Sequence, residues 1–480
     1  MRKTMLWRVI SCLLLIFISC LLILPNLGYP RAIVFDETYF VPTTQKYLNH
    51  VFFLEPHPPL AKLLIALGEY WYEPNQIHND FITVEKVDKD WSPEWDLTGY
   101  RIMPAFFGIL IPPVIFLIAC LVLGRNLFAF LLALAVALDN ALIVQSRAAL
   151  QDSFLVFFCF ASILGFVITN RKIDWRWGAL ILLSAIWGIL TGAAASVKLT
   201  GLFVGVLAVV YAARLLWARQ IRRLLVFGVV FGLMFSIVYL GLWAVHFSIA
   251  QNLIDNQDYG ISEIHKQILK GEYNPDPLTR FVIQMRDAVD YQRRYEAGVP
   301  KLDLTKPDEI GSPWYWWPFG GRTINYRWET PDGKTYQYIY LLGNPITWLI
   351  SLIGVLVGTA LIVTDILFRY LPSEHRPWLY LFAMLYWAYM VPIMFIERVL
   401  YLYHYFPPLI IGILLFGIVL SIVPTIPARA KTASVLVLIV LLYIAFRVYS
   451  PFTYYQPLTA AEFQARNIWH AWSLHCINCP

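Results

Sequence analysis

The most constraining feature of this sequence is a series of apolar runs too long for any soluble fold. Several exceed the roughly 18–20 residues needed to cross a bilayer core, and they carry almost no charge. The composition agrees: only 14% of residues are charged, whereas a soluble domain has about a quarter. The pattern predicts an all-α polytopic membrane protein. Eleven helices are expected, near 7–27, 102–123, 127–145, 153–169, 178–195, 199–217, 224–246, 344–368, 378–397, 402–423 and 432–449. The first run is too long for a secretory leader and lacks a small-x-small cleavage site, so it reads as a membrane anchor.

The charges orient the chain. Arg2, Lys3, Arg8, Arg125, Arg171, Lys172, Arg176, Arg214, Arg219, Arg222, Arg223, Arg369, Arg376, Arg429 and Lys431 fall on one side, in short connections with few acids. That side is expected to be cytoplasmic, leaving the N-terminus inside and the C-terminal tail outside. Two outer segments are long. The first, 29–101, is acidic (Asp36, Glu37, Glu55, Glu69, Asp80, Asp90, Glu94 and Asp96 among others) and contains PPLAKLLIALGEYWY (58–72), whose spacing predicts a helix lying in the interface. The second, 247–343, is rich in Trp, Tyr, Pro and Gly, and is expected to form a compact outer cap. The domains follow: 1–247 with the first outer loop, 248–343 as cap, 344–450 as the remaining spans, and 451–480 as the tail. No internal repeat is present.

An ionisable group at bilayer depth costs roughly 2.5–3.5 kcal/mol on insertion scales, so each needs a reason. Asp36, Glu37, Arg101, Asp139, Asn140, Arg147, Asp152, Lys198, Glu397, Arg398 and His404 all fall near the outer boundary in this topology. Snorkelling to water accounts for single charges. Four cations (Arg101, Arg147, Lys198, Arg398) beside two adjacent carboxylates suggest an anion site next to an acid/base site. Asp36 and Glu37 cannot face the same way, so they should have different partners. The competing reading of this pair is a helix cap.

The surrounding motifs bring in a family. FDETYF (35–40), EPHPPLAKLL (55–64), YRIMPAFFG (100–108), ALDNALIVQSRAALQDSFLVFF (137–158), SVKLTGLFVG (196–205), GNPITW (343–348) and ERVLYLYHYFPPL (397–409) occur in one order. In this order the chain resembles the protein O-mannosyltransferases, C-type glycosyltransferases that use a polyprenyl (dolichyl) phosphate mannose donor. The resemblance implies Asp36 as the base that activates a Ser/Thr hydroxyl; Glu37, counted with it among the catalytic residues, is then the carboxylate that orients the site or pairs with a cation. It implies Arg101, Arg147, Asp152, Lys198, Arg398, Tyr403, His404 and His57 as donor-phosphate or substrate contacts, and Lys62 joins that set. Gln151 departs from the family's usual leucine. Eukaryotic members carry a β-trefoil domain in the second large outer loop; the loop here is too short for one. The chain is therefore similar to the prokaryotic members, implying a bacterial plasma membrane and an active site on its outer side.

The implied reaction moves a mannose from the polyprenyl phosphate carrier to an exported protein, by direct displacement with inversion. One base and electrostatic clamping of the leaving phosphate suffice. A lipid or other envelope acceptor is the alternative, and a transporter or flippase the rival class; boundary charges without a repeat fit a transporter poorly. No nucleic-acid partner and no tightly bound cofactor are expected. Asp36, Glu37 and Asp152 could hold Mg²⁺ or Mn²⁺, against which stands their pairing with the arginines. For Cys476 and Cys479 an outer tail predicts a disulfide or an unstructured end rather than zinc.

Overall fold

A computed structural model of the chain describes residues 2–73, 75, 81–89, 95–254, 259–307, 309–372, 374–422, 428–477 and 479. Asp80, Asp90 and Glu94 of the acidic first loop lie outside the described residues, as do the side chains of Arg2, Lys3 and Lys431. The helices are α1 (Arg2–Ile23), α2 (Glu37–Leu48), α3 (Leu60–Tyr72), α4 (Thr98–Leu123), α5 (Asn126–Ala137), α6 (Asn140–Ser146), α7 (Asp152–Thr169), α8 (Trp177–Val197), α9 (Val206–Trp217), α10 (Ile221–Ile249), α11 (Glu263–Leu269), α12 (Pro277–Gly298), α13 (Pro345–Phe368), α14 (Arg376–Ile393), α15 (Phe406–Ile422), α16 (Ala428–Thr453) and α17 (Ala460–Arg466). Every apolar run expected to cross the membrane is helical. Among the described residues nine helices are long and apolar enough to span, or ten if α5 and α6, bent by 60° at their junction, count as one. The Trp- and Tyr-rich α14 falls outside that set.

The chain forms two compact units. Met1–Pro25, Phe107–Ser146 and Lys301–Pro480 make the terminal unit, which holds both chain ends. Asn26–Phe106 and Arg147–Pro300 make the central unit, so called for its place in the sequence. The second outer segment does not stay together as one cap; it divides between the units at Pro300 and Lys301.

In the terminal unit, α13 and α15 cross at glycines. A Cβ on Gly354 would lie 2.1 Å from Gly412 O, and Ser351 Oγ donates to Leu409 O at 2.8 Å. Small residues of this kind let two helices approach where no hydrophobic force drives them together in lipid. The α5–α6 bend leaves backbone groups that buried side chains then satisfy. Asp139 accepts from Leu142 N, Asn344 N and Trp348 Nε1, each at 3.0 Å, and Asn344 Nδ2 donates to Leu138 O. Asn140 Nδ2 donates to Thr453 Oγ1 at 2.8 Å. Asp139 and Asn140 therefore serve the bend. This unit also carries a small antiparallel sheet, β1 (Ile324–Glu329), β2 (Tyr336–Leu341) and β3 (Pro457–Leu458), in that order. Its hairpin turns where Asp332 Oδ1 caps Lys334 N and Gly333 takes φ +65°. The tail is ordered: Tyr340 Oη donates to His475 O at 2.9 Å, and Cys476 is joined to Cys479 as a disulfide.

In the central unit α8 lies against α10 through Gly188 and Gly192, whose Cβ positions would meet Phe231 O and Phe235 O. The other side of α10 exposes Val229, Leu233 and Ile237, as a lipid-facing helix must. α3 buries Leu60, Ala61, Ile65 and Ala66 together with Lys62 and Glu69, and exposes Leu67, Tyr70 and Trp71, so both charged side chains lie on its protein-facing side.

Candidate active site

The central unit gathers eight of the implied residues: Asp36, Glu37, His57, Lys62, Arg101, Arg147, Asp152 and Lys198. Asp36 stands at the N-cap of α2 but makes no capping hydrogen bond with its side chain, which disposes of the cap reading. Phe35 before it has φ +45°, a left-handed conformation that costs a bulky residue of order 1–2 kcal/mol and is found where surrounding structure enforces it. The Asp36 carboxylate is half-buried and has no hydrogen-bond partner among the described residues. Loss of hydration and then the negative Asp152 push its pKa up to about 6, against Lys198, Lys89 and Lys86. It is thus a carboxylate that stays ionised at neutral pH yet binds a proton far more readily than an ordinary aspartate.

Glu37 is the opposite case. It is fully buried, and each of its oxygens holds two N–H donors. Oε1 accepts from Arg101 Nε (2.8 Å) and Ala149 N (2.7 Å); Oε2 accepts from Arg101 Nη2 (2.8 Å) and Val34 N (2.9 Å). Arg101 is equally committed. Its remaining contacts are Nη1 to Leu27 O (3.3 Å) and Pro30 O (3.0 Å), and Nη2 to Ala32 O (2.9 Å). A guanidinium has five N–H groups, and five protein acceptors take them all. This corrects the expectation for Arg101 and gives Glu37 the cation-paired role. Arg101 has no N–H left for a donor phosphate, and Glu37 has no lone pair readily open to an acceptor hydroxyl. Together they tie residues 27–37 to the start of α4 and to the turn before α7.

The other cations are arranged differently. Arg147 is buried and donates through Nη2 to Asn26 O at 3.0 Å. Lys198 sits where α8 ends in extended backbone before the 3₁₀ turn Leu199–Gly205, close enough to Asp36 to lower its pKa. Asp152 opens α7. His57 meets the edge of Tyr295, centroids 6.4 Å apart. Lys62 Nζ is 2.7 Å from Glu55 Oε1 in a buried ion pair, so it anchors the start of α3 rather than reaching for a ligand. Glu55, an acid the sequence singled out only as part of the loop's charge, is the partner that decides this.

Arg398, Tyr403 and His404 belong to the terminal unit. There Leu302 N donates to Glu397 O at 3.2 Å, and Ser312 N to Leu400 O at 2.8 Å, so the outer segment is sewn to 397–400. His404 lies near-parallel to neighbouring rings. Trp317 stacks on it at 6.1 Å and 13°, and Tyr403 at 4.6 Å and 22°. Its Nδ1 lies 3.0 Å from Tyr401 O, which fixes the ring's orientation. The sequence marks the Trp-rich run 312–321, but not that Trp317 is the ring laid on His404. Among the described residues no group of three or more His, Cys, Asp or Glu is placed to hold a metal ion.

Comparison with known proteins gives this arrangement a context. The family model described as dolichyl-phosphate-mannose-protein mannosyltransferase matches residues 13–256. A second, the C-terminal four TMM region of protein-O-mannosyltransferase, matches residues 299–472. Protein O-mannosyltransferase 1 of Drosophila melanogaster is 31% identical over 240 residues, covering 46% of this chain and 26% of that protein. A mannosyltransferase of Candida albicans, dolichyl-phosphate-mannose--protein mannosyltransferase 2, is 33% identical over 195 residues, covering 39% and 24%. The matched stretch is thus about a quarter of the length of these relatives. The Saccharomyces cerevisiae protein O-mannosyltransferase Pmt1-Pmt2 complex bound to the sugar donor superposes with a TM-score of 0.83, over 98% of this chain and 93% of that one. At 15% identity that match shows a shared fold. With both halves of the sequence matched by the family's own models and the acidic pair seated in its first large loop, the chain belongs to the protein O-mannosyltransferase family.

Proposed function

We propose that this chain transfers a mannose, with inversion, from a polyprenyl phosphate carrier to Ser/Thr hydroxyls of exported proteins. The site is assigned to the outer face of a bacterial plasma membrane, a placement supported by the basic short connections on the opposite side. The observation that carries the reading is the Asp36 carboxylate, unbonded among the described residues and raised to about 6. Asp36 takes the proton of the acceptor hydroxyl as the oxygen forms its bond to the anomeric carbon. The bond from that carbon to the phosphate oxygen breaks, and the electron pair leaves with the polyprenyl phosphate. Lys198 and Arg147 are assigned to the charge that develops on the phosphate. Arg398, Tyr403 and His404 are retained as substrate-binding residues on their motif match. Glu37 and Arg101 act as a brace that holds Asp36 in place. With both oxygens doubly bonded, Glu37 would be a poor cation ligand, and the proposed reaction uses no metal ion.

The test is Asp36→Asn in vesicles of defined lipid with labelled polyprenyl phosphate mannose and a Ser/Thr peptide. The expected result is loss of transfer, on the order of 10²–10⁴-fold for removal of a general base. Transfer near the wild-type rate would sink the assignment.

A further inference from the structure

The terminal unit contains an aromatic cleft that the proposed reaction does not use. It encloses about 280 Å³, and Phe319, Trp348, Leu349, Leu352, Trp469 and Trp472 form most of its wall. Three chain segments build it: the 3₁₀ turn Trp314–Phe319, the first turns of α13, and the tail. The tail wall is fixed in place. Arg322 N donates to Ala471 O at 2.7 Å, Thr323 N to Trp472 O at 2.9 Å, and Trp472 meets Tyr449 edge-on at 5.4 Å. The polar atom of Trp348 is turned away from the cleft's needs, since its Nε1 is bonded to Asp139 Oδ2. What remains is a preformed, carbon-lined recess with no charged side chain in its wall.

Leu349, one of the lining residues, names the occupant. Leu349 is 50% exposed, and the exposed positions continue along α13 as Ile353, Leu356 and Val357, then Val363 and Leu367. These recur at helical spacing and form one stripe. The opposite face of α13 (Ser351, Gly354, Val355, Gly358) is buried. On a spanning helix such a stripe faces lipid, and Leu349 belongs both to this stripe and to the wall of the cleft. Trp and Phe walls at the end of a span are where ordered hydrocarbon meets the headgroup region.

We infer that this cleft is a binding site for one acyl chain of a bilayer phospholipid, which leaves the α13 stripe and inserts between Trp348 and the Trp469–Trp472 wall. Burial of methylenes there drives binding, and no headgroup contact is required. The inference is independent of the proposed transferase activity.

The experiment uses the full chain in phosphatidylcholine vesicles doped with a phosphatidylcholine that bears a diazirine near the end of one acyl chain. After irradiation, labelled peptides are mapped by mass spectrometry. The expected result is strong labelling of residues 348–352 and 469–472. It should fall at least fivefold in Leu352→Trp, which fills the cleft, while labelling around Leu367 stays unchanged. If Leu352→Trp does not fold, Leu349→Asn at the mouth serves the same purpose. Equal labelling of the cleft in wild type and variant would overturn the inference. So would protection by micromolar polyprenyl phosphate or by an acceptor peptide, since either would give the cleft a different occupant.

Discussion

Arg101 and Glu37 form a buried two-point ion pair, Nε to Oε1 and Nη2 to Oε2, both at 2.8 Å. Every other polar atom of the pair is also used, on Val34, Ala149, Leu27, Pro30 and Ala32. The pair therefore joins three stretches of chain at the residue next to Asp36. Two charges buried this way are stable only while both are present.

Arg101→Lys tests the brace. A lysine keeps the charge but has three N–H donors and no planar fork, so it strands part of Glu37 and two loop carbonyls. The expected cost is about 3 kcal/mol in stability. A base displaced by an ångström should also lower kcat by about 10²-fold. The KM for the polyprenyl phosphate donor should stay close to wild type. Lys198→Met should do the reverse and chiefly raise donor KM. Steady-state kinetics on purified variants separates them: a selective rise of donor KM in Arg101→Lys would return Arg101 to the phosphate.

The raised pKa of Asp36 has a kinetic signature. Its carboxylate must be ionised to accept a proton, so kcat/KM should be level above pH 7 and fall as pH drops through about 6. Burial is the larger cause and Asp152 the second. Asp152→Asn should move the limb to lower pH, and Lys198→Met should move it to higher pH. Profiles of kcat/KM from pH 5 to 8 decide the point. A limb that ignores both substitutions would mean that another group titrates.

These residues also mark where sequence reasoning stops. The membrane runs were legible because hydrocarbon thickness sets a length that composition alone reveals. The bend in the third run was not: its hydropathy predicts one continuous helix over 127–145 although Asp139 and Asn140 interrupt it, and the groups that satisfy the bend lie about 200 positions on, at Asn344 and Trp348. The hairpin at 324–341 has its signal in Asp332-Gly333 between alternating runs, but the aromatic composition around it points to a cap. For Asp36 and Glu37, adjacency was enough to say that they differ. Which one is free depends on Ala149 N and Arg101, and no local pattern carries that information. Lys62 looked like a ligand cation for the same reason: its partner Glu55 is close in sequence, but only the fold brings the two to 2.7 Å in a dry site.

Glu69 on α3 makes stability depend on pH. It is buried, chiefly desolvated, and raised to about 8, against an ordinary glutamate value near 4.5. The folded state therefore takes up a proton that the unfolded chain releases. With a folded pKa above the unfolded one, the contribution is full below about pH 4.5 and is lost as pH rises through about 8. Wild-type Tm in detergent should fall by several degrees between pH 5 and 8.5, at roughly 2–4 °C per kcal/mol for a large domain. Glu69→Gln, which mimics the protonated form, should show a much smaller drop. Parallel curves for the two proteins would remove Glu69 as the cause.

The glycine crossing of α13 and α15 gives a packing prediction with an internal control. At Gly354 an added Cβ would stand 2.1 Å from Gly412 O and 2.6 Å from Phe416 N. Both are backbone atoms, so the helices themselves must separate. Gly354→Ala should cost roughly 2–3 kcal/mol, outweighing the ~1 kcal/mol that alanine gains in helix propensity. Gly358 lies one turn further on, and its Cβ would meet Leu379 Cδ1 at 3.5 Å and Leu415 Cδ2 at 3.6 Å, both ordinary contacts. Gly358→Ala should therefore be neutral or slightly stabilising. Thermal unfolding of the two variants beside wild type checks the contrast. Equal effects would mean that helix propensity, and not the crossing, sets the stability of α13.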